Sequence, residues 1–351
     1  MKSHWLFQVI LMLTVAFPTA SAECQSLSFP GQQWEVVPVA SQGLNESKLG
    51  DAVAYLESVA GDDGARELVI VRNGAMVWRG PQADKIHGVW SCTKSFTSTT
   101  LGLLVEDGKC DLDDKASRWL PALESSYSDV TLRHFATMTS GYRAIGDEPQ
   151  GSYRHGPSRT PFDPNPQPLF SPPGTTYAYW DSAMNQFSNV LTRIAEEPLE
   201  DLFRRRIADP IQMDPDHWRW GDFGEVDGVV VNGGAGNQGG HIYISATEMA
   251  RFGLLMLSRG NWNGKQLISR ECVEWATSLQ VPADSIDVHP DSGADGRGAY
   301  GLNWWVNGVK PDGERKWPGI PDGTFAASGF HNNDLFVIPA WRMVVVRLGL
   351  D

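Results

Sequence analysis

The residues with the clearest chemical potential in this sequence are a serine and a lysine three positions apart. Ser91 and Lys94 lie in the segment Val89–Phe96. On a helix, this spacing places the hydroxyl and the amine one turn apart on the same face. A serine hydroxyl is a weak nucleophile until a neighbouring group takes its proton. An amine near the positive end of a helix and sheltered from water favours its neutral form, so the pair predicts a serine nucleophile with a lysine base.

A single Ser-x-x-Lys pair occurs often by chance, but further segments in this sequence match one known family in order. These segments are Leu132–Gly141, Pro172–Asp181, Gly239–Gly253, Gly260–Gly264 and Ala327–Gly329. Together with Trp90–Phe96, they resemble the serine β-lactamase-like superfamily of hydrolases. This group includes class C β-lactamases, penicillin-recognising peptidases, related esterases and aminohexanoate-oligomer hydrolases. The resemblance runs from about residue 50 to the end of the sequence, and ordered matches are far more specific than one short motif.

The resemblance implies a role for each matching residue. Ser91 would be the acylated nucleophile and Lys94 its partner. Tyr179 would be the second base and acid, which relays a proton to the leaving group and activates the deacylating water. The backbone N–H groups of Ser91 and Phe330 would form the oxyanion hole. The residues expected to contact the substrate or the oxyanion are Asp181, Ser328, Gly329, Phe330 and His331.

Two positions depart from the pattern of the family. Asp181 stands where asparagine is most common. A carboxylate there would hold Lys94 as an ammonium, which cannot act as a base, and the base role would then pass to Tyr179. Ala327 stands where β-lactamases place a cation that pairs with the substrate carboxylate. His331 is a candidate to compensate, although a structural histidine is the simpler interpretation. The missing cation predicts a preference for uncharged esters or amides.

The elements that must position these residues can be predicted from local patterns. Asn73-Gly74 between two apolar runs, Glu67–Arg72 and Ala75–Arg79, predicts a β-hairpin. A helix is expected from near Ser91 to Val105, with Asp107-Gly108 ending it. Further helices are expected over 131–138, 182–197, 199–207, 246–259 and 269–278, and further strands over 299–306, 334–338 and 342–347.

Strands near both ends with helices between them predict an α+β fold of the β-lactamase/transpeptidase type. In this prediction, an antiparallel sheet from both termini is flanked by helices, with an inserted mostly helical lobe. We expect one catalytic domain over 23–351, with an α/β lobe at about 45–98 and 240–351 and a helical lobe at about 99–239. The run Gly234–Gly239 matches a dinucleotide-binding pattern, but the extended segment His241–Ser245 follows it where that fold needs a helix.

Composition limits the compartment and the partners. Residues 1–22 have a basic start, an apolar run and a small-residue end at Ala20–Ala22, which is typical of a cleavable secretory signal. We therefore expect a secreted or periplasmic protein cleaved near Ala22, with no stable membrane span in the mature chain. The formal charge of −13 disfavours nucleic-acid partners. The four cysteines, Cys24, Cys92, Cys110 and Cys272, could form disulfides or remain as buried thiols.

These observations predict an exported serine hydrolase that cleaves an ester or amide in a small molecule or peptide through a Ser91 acyl-enzyme. No metal or other cofactor is expected. One alternative is a β-lactamase or D-amino-acid peptidase of the same fold. Another, of a different class, is a non-catalytic penicillin-binding-like relative that acts as a binding protein after losing turnover through Asp181 and Ala327. The oligomeric state has no signature in the sequence.

Overall fold

The computed structural model describes residues 27–147, 158 and 160–350; the predicted signal segment and Cys24 lie outside these ranges. The helices are α1 (Glu46–Val59), α2 (Thr93–Glu106), α3 (Leu132–Ala136), α4 (Asp181–Ala195), α5 (Leu199–Phe203), α6 (Ala246–Leu257) and α7 (Arg270–Ala276). The strands are β1 (Glu67–Arg72), β2 (Ala75–Arg79), β3 (His87–Gly88), β4 (Thr176–Tyr177), β5 (Trp218–Trp220), β6 (Asp222–Val226), β7 (Val229–Asn232), β8 (Ile242–Ile244), β9 (Asn261–Trp262), β10 (Lys265–Gln266), β11 (Asp287–Val288), β12 (Trp305–Val306), β13 (Phe325–Gly329), β14 (Asn333–Ile338) and β15 (Met343–Leu348).

The largest sheet has six antiparallel strands in the order β12-β13-β14-β15-β1-β2. Strands β1 and β2 form the predicted hairpin, in which Asn73 and Gly74 both have positive φ angles, as a tight primed turn requires. Strand β1 pairs directly with β15, so that Glu67 lies opposite Leu348. The structure therefore confirms that one antiparallel sheet is built from both ends of the sequence.

Helix α6 covers one face of this sheet at close range. Gly253 makes this approach possible, because a Cβ atom there would lie 2.6 Å from side-chain carbons of both Leu335 and Val344. The helix begins at Ser245, whose side chain accepts a hydrogen bond from the backbone N–H of Glu248. The apolar residues between α6 and the sheet belong to the main hydrophobic core, which positions β13 for the site described below.

Of two helices whose ends were predicted, one ends as expected and the other ends early. Helix α2 ends at Glu106, followed by Asp107 and by Gly108 with φ of 66°, as predicted. Helix α3 begins with a capping box between Thr131 and His134 but ends at Ala136. The expected end at Met138 is wrong, because Met138 has φ of 60° and leaves the helical path.

The prediction of one strand over 299–306 is also wrong. Only Trp305–Val306 forms a strand, and the chain before it reverses direction. Asn303 has φ of 57°, and Tyr300 forms a bridge with Trp305. The aromatic residues of this run therefore face each other across a turn instead of following one extended strand, and this turn places Trp305 beside Tyr179.

The middle of the chain combines helices α3 to α5 with small sheets. Strands β3, β8 and β5 form one such sheet, and β6 pairs with β7. The exact division into two lobes stays a prediction. The cysteines within the described ranges, Cys92, Cys110 and Cys272, are buried free thiols. Burial raises the pKa of Cys110 to about 12, so it remains protonated near neutral pH.

Candidate active site

Ser91 and Lys94 meet at the start of helix α2. A 3₁₀ turn over Trp90–Cys92 leads directly into this helix, which places Lys94 in its first turn. The lysine Nζ lies 2.9 Å from the serine Oγ, within hydrogen-bond distance. The structure thus brings together the two residues that the sequence spacing predicted as partners.

Lys94 uses all of its hydrogen-bonding capacity inside the protein. Besides Ser91, its Nζ donates to Asp181 Oδ1 at 2.8 Å and to the backbone oxygen of Ala235 at 2.8 Å. An ammonium has three protons, and three acceptors surround it. The side chains of Lys94 and Asp181 are 1% and 4% exposed, so their ion pair is almost fully shielded from water. This set of contacts is the one that an ammonium paired with a carboxylate would make.

The backbone of Ala235 is held in place by a residue that sequence reasoning missed. Asn185 lies one turn after Asp181 on α4, and its Oδ1 accepts hydrogen bonds from the N–H groups of Gly234 and Ala235, both at 3.1 Å. Gly234 permits this contact, since a Cβ there would lie 2.0 Å from the oxygen of Met184. The glycine run after β7 thus allows close packing against α4. Strand β8 follows this run, as predicted, whereas a dinucleotide-binding fold would have a helix there.

Tyr179 lies beside both Ser91 and Lys94, two residues before α4. Its ring centroid is 4.6 Å from Lys94 Nζ and 6.1 Å from the ring of Trp305, which stacks on it. Burial, together with the negative charge of Asp181, raises the pKa of Tyr179 well above its usual value, although a hydrogen bond with the Ser91 side chain opposes this shift. Tyr179 therefore keeps its proton in the resting site.

Asp147 orders the chain around Tyr179 and Asp181. This buried carboxylate accepts hydrogen bonds from the indole nitrogen of Trp180 at 2.9 Å and from the hydroxyl of Ser182 at 2.6 Å. The two donors flank Asp181 in sequence. Asp147 is thus a positioning residue for the start of α4, and no sequence motif marks it.

Strand β13 forms the wall of the site that lies against the backbone of Val89 and Ser91. A Cβ atom at Gly329 would lie 2.2 Å from the oxygen of Val89 and 3.2 Å from the nitrogen of Ser91, so only glycine allows the strand to approach the nucleophile this closely. The hydroxyl of Ser328 donates to Asp334 on β14. Ala327 is buried and supplies no charge.

Phe330 and His331 follow this strand and contact the residue next to the nucleophile. The ring centroids of Phe330 and His331 lie 5.5 and 5.6 Å from that of Trp90. His331 forms no part of the Lys94 ion pair, whose acceptors are Ser91, Asp181 and Ala235. The structure thus places His331 at the aromatic edge of the site.

His241 is a second residue that sequence reasoning did not assign to the site. Its ring packs edge-on against Trp90 at 4.8 Å, and Gly88 makes room for it, because a Cβ there would lie 2.9 Å from the imidazole. Burial and the nearby positive charge of Lys94 lower the pKa of His241 to about 4. A neutral imidazole therefore lies close to the ion pair at physiological pH.

Comparison with known proteins agrees with this geometry. A family model described as Beta-lactamase matches residues 60–348. The 6-aminohexanoate-dimer hydrolase of Paenarthrobacter ureafaciens is 22% identical over 363 residues, which cover 99% of this chain and 85% of the relative.

Solved structures share the architecture as well. EstCE1, described as a hydrolase with promiscuous acyltransferase activity, has a TM-score of 0.59 at 18% identity, and the similarity covers 85% of this chain and 92% of that one. The octameric penicillin-binding protein homologue from Pyrococcus abyssi has a TM-score of 0.58 at 17% identity, covering 84% and 72% of the two chains. These similarities confirm the predicted α+β fold. Within the described part of the chain, no helix is long and apolar enough to cross a membrane.

Proposed function

Because this chain belongs to the Beta-lactamase family, whose model matches residues 60–348, we propose that it is an exported serine hydrolase that cleaves an ester or amide through an acyl-enzyme on Ser91. The observation that supports this most strongly is the 2.9 Å contact between Lys94 Nζ and Ser91 Oγ. A serine within hydrogen-bond reach of a positioned proton-transfer group is the usual arrangement of an activated nucleophile.

In this proposal, Tyr179 carries the proton transfer, and the ion pair of Lys94 with Asp181 supports this role. Lys94 donates its protons to Ser91, Asp181 and Ala235, so it accepts none while it remains an ammonium. In acylation, Ser91 Oγ attacks the carbonyl carbon and passes its proton to the Tyr179 oxygen. In the same step, Tyr179 gives its own proton to the leaving oxygen or nitrogen, and the bond between that atom and the carbonyl carbon breaks. Tyr179 never needs to be a phenolate in the resting state, which fits its raised pKa.

Deacylation reverses this relay. A water molecule adds its oxygen to the acyl carbon and passes a proton to Tyr179, while Tyr179 returns a proton to Ser91 Oγ as the ester bond breaks. The Lys94 charge, 4.6 Å from the Tyr179 ring centroid, stabilises negative charge that develops between the two hydroxyls. The acid is released, and the enzyme returns to its starting protonation state.

The oxyanion hole in this proposal uses the backbone N–H groups of Ser91 and Phe330. The close approach of Gly329 to the Ser91 nitrogen supports this assignment, since Phe330 follows Gly329 directly. Two fixed donors aimed at the developing oxyanion contribute several kcal/mol to acyl transfer in water-excluded sites.

The substrate class follows from the charges around the nucleophile. Buried Ala327 offers no partner for a carboxylate, so we propose that uncharged esters or amides are preferred. The names of two similar proteins, an aminohexanoate-dimer hydrolase and a hydrolase with acyltransferase activity, agree with hydrolysis and acyl transfer as the class of reaction.

A fluorophosphonate label tests the proposal directly. We expect the intact protein to gain the mass of one label and Ser91→Ala to gain none, with a nearly unchanged Tm and no ester turnover. Ser95→Ala is the matched control, because this serine lies on the same helix but donates to the backbone of Asn303. Equal labelling of wild type and Ser91→Ala would overturn the mechanism. A protein that resists labelling would support the non-catalytic alternative.

A further inference from the structure

The turn after strand β13 presents an aromatic side chain to solvent beside the nucleophile. Phe330 is 48% exposed, and its ring packs edge-on against Trp90 and His331 at centroid distances of 5.5 and 4.2 Å. We infer that Trp90, Phe330 and His331 form an aromatic platform that binds an apolar group of the substrate next to Ser91. This inference rests on the proposed function and extends it to the residues that select the substrate.

The backbone that carries the platform has an unfavourable conformation. His331, Asn332 and Trp90 have φ angles of 59°, 54° and 48°, in the left-handed region that residues with a side chain seldom adopt. Such conformations persist when the surrounding structure holds them in place, and they concentrate at functional sites. Both sides of the platform, the turn and the residue before the nucleophile, show this feature.

Hydrogen bonds from two buried side chains hold the turn in this conformation. The fully buried Arg347 donates from Nη1 to the oxygen of His331 at 2.9 Å and from Nη2 to the oxygen of Ala60 at 2.9 Å. Asn333 Nδ2 donates to the oxygen of Phe330 at 2.7 Å. Because hydrogen bonds fix the carbonyl groups of Phe330 and His331, the rings of these two residues are preorganised for binding.

The position of the platform distinguishes Phe330 from ordinary exposed apolar residues. Single exposed hydrophobic side chains are common on proteins and need no function. Phe330, however, directly follows Gly329, whose backbone abuts the nitrogen of Ser91. Its ring also packs against Trp90, which precedes Ser91, so we expect a substrate with its carbonyl at Ser91 to place a neighbouring group close to this ring.

The chemistry of the platform selects an alkyl or aryl group. Aromatic faces and edges gain from contact with apolar groups roughly in proportion to the area removed from water. The group bound there can belong to the acyl part or to the leaving group of the substrate, and these two sources can be separated by experiment.

Two series of esters make this test. One keeps p-nitrophenol as leaving group and lengthens the acyl chain from acetate through butyrate to hexanoate. The other keeps acetate and lengthens the alcohol from ethyl through butyl to hexyl. In wild type, we expect kcat/KM to rise roughly tenfold along one of the two series, as partial burial of added methylenes requires. The series that responds identifies the part of the substrate on the platform.

Variants of Phe330 test whether the dependence of kcat/KM on chain length comes from the platform. Phe330→Ala should flatten the dependence on chain length, and Phe330→Leu should keep most of it, because leucine retains apolar surface on the same backbone. Val36→Ala is the matched control. Val36 is 53% exposed but bridges Met76 of β2, at the opposite edge of the large sheet, and its variant should match wild type.

The possible results separate this inference from the proposed function. Turnover of p-nitrophenyl acetate with no chain-length dependence in either series, or with the same dependence in Phe330→Ala as in wild type, would overturn the aromatic platform alone. Absence of both ester turnover and Ser91 labelling in wild type would overturn the proposed function and the platform with it.

Discussion

Lys94 and Asp181 form a buried ion pair that joins the start of helix α2 to the start of helix α4, with 2.8 Å between Nζ and Oδ1. Each charge compensates the other in a region that water barely reaches. The pair also sets the electrostatic environment of Ser91 and Tyr179, both of which lie close to Lys94 Nζ. Changes to either partner should therefore alter both stability and the pH dependence of catalysis.

Asp181→Asn should move the alkaline limb of the pH–rate profile to lower pH. The charge of Asp181 raises the pKa of Tyr179, so its removal lets the phenol lose its proton earlier and ends the relay at a lower pH. The measurement is kcat/KM against pH for a neutral ester. Asp129→Asn, at an exposed ion pair with Lys115, is the control and should leave the limb in place. An unmoved limb in Asp181→Asn would refute the coupling.

Breaking the pair from one side should cost more stability than removing both charges. Lys94→Met leaves the Asp181 carboxylate buried without its cation, which we expect to lower the free energy of unfolding by about 3–5 kcal/mol. Adding Asp181→Asn to Lys94→Met should restore a large part of this loss. Urea unfolding of wild type, both single variants and the double variant forms a complete cycle. Additive losses would show that the two charges do not compensate each other.

His241 should make the stability of the protein depend on pH between about 6.5 and 4. Its pKa falls from 6.5 to about 4 in the folded protein, so the unfolded chain binds more protons within this range. Stability is then complete above the unfolded pKa and falls as the pH decreases towards 4, by about 1–3 kcal/mol. His241→Phe should remove this component of the slope in urea unfolding at pH 7 and pH 5. An identical slope in the variant would contradict the assignment.

The ratio of kcat/KM for a p-nitrophenyl short-chain ester to that for a chromogenic cephalosporin should be well above one. Cephalosporins carry a carboxylate, and a charge-assisted contact of the kind absent at Ala327 is worth roughly 1.5–3 kcal/mol. That range corresponds to about ten- to over a hundredfold in specificity.

A ratio below one would reverse this interpretation and point to another cation. Lys316 lies over the ring of Trp305 at 3.8 Å, and Trp305 stacks on Tyr179. Lys316→Met would then be expected to abolish the preference for the cephalosporin. If the ratio stays above one, the same variant should change it little.

Much of the fold follows from short-range patterns in the sequence. Asn73-Gly74 predicted the hairpin, because few residue pairs tolerate two consecutive positive φ angles. The run 299–306 misled this reasoning because its aromatic residues favour strands, whereas the left-handed Asn303 reverses the chain between them. Local strand propensity cannot show that a run of strand-favouring residues contains a reversal of the chain.

The candidate site could also be predicted only in part from the sequence. Ser91 and Lys94 could be paired from their spacing, since one helical turn determines their contact. Asn185 and His241 could not be predicted from their spacing. Asn185 contacts the backbone of Ala235, and His241 lies near Lys94, only after the loop before β8 has packed against α2 and α4. Their types carry no distinctive pattern, and their importance comes from burial and from the charges that folding places near them.

The pairing of β1 with β15 also has a consequence for how the protein acquires its shape. Two adjacent strands inside the large sheet come from distant parts of the chain, with Glu67 opposite Leu348. A nascent chain on the ribosome cannot close this sheet until β15 has emerged, and pairing across such sequence separations slows folding. Strand β13, which forms one wall around Ser91, is joined to β1 only through β14 and β15. We therefore expect premature termination a few residues before Leu348 to yield an aggregation-prone, inactive product, not a slightly shortened enzyme.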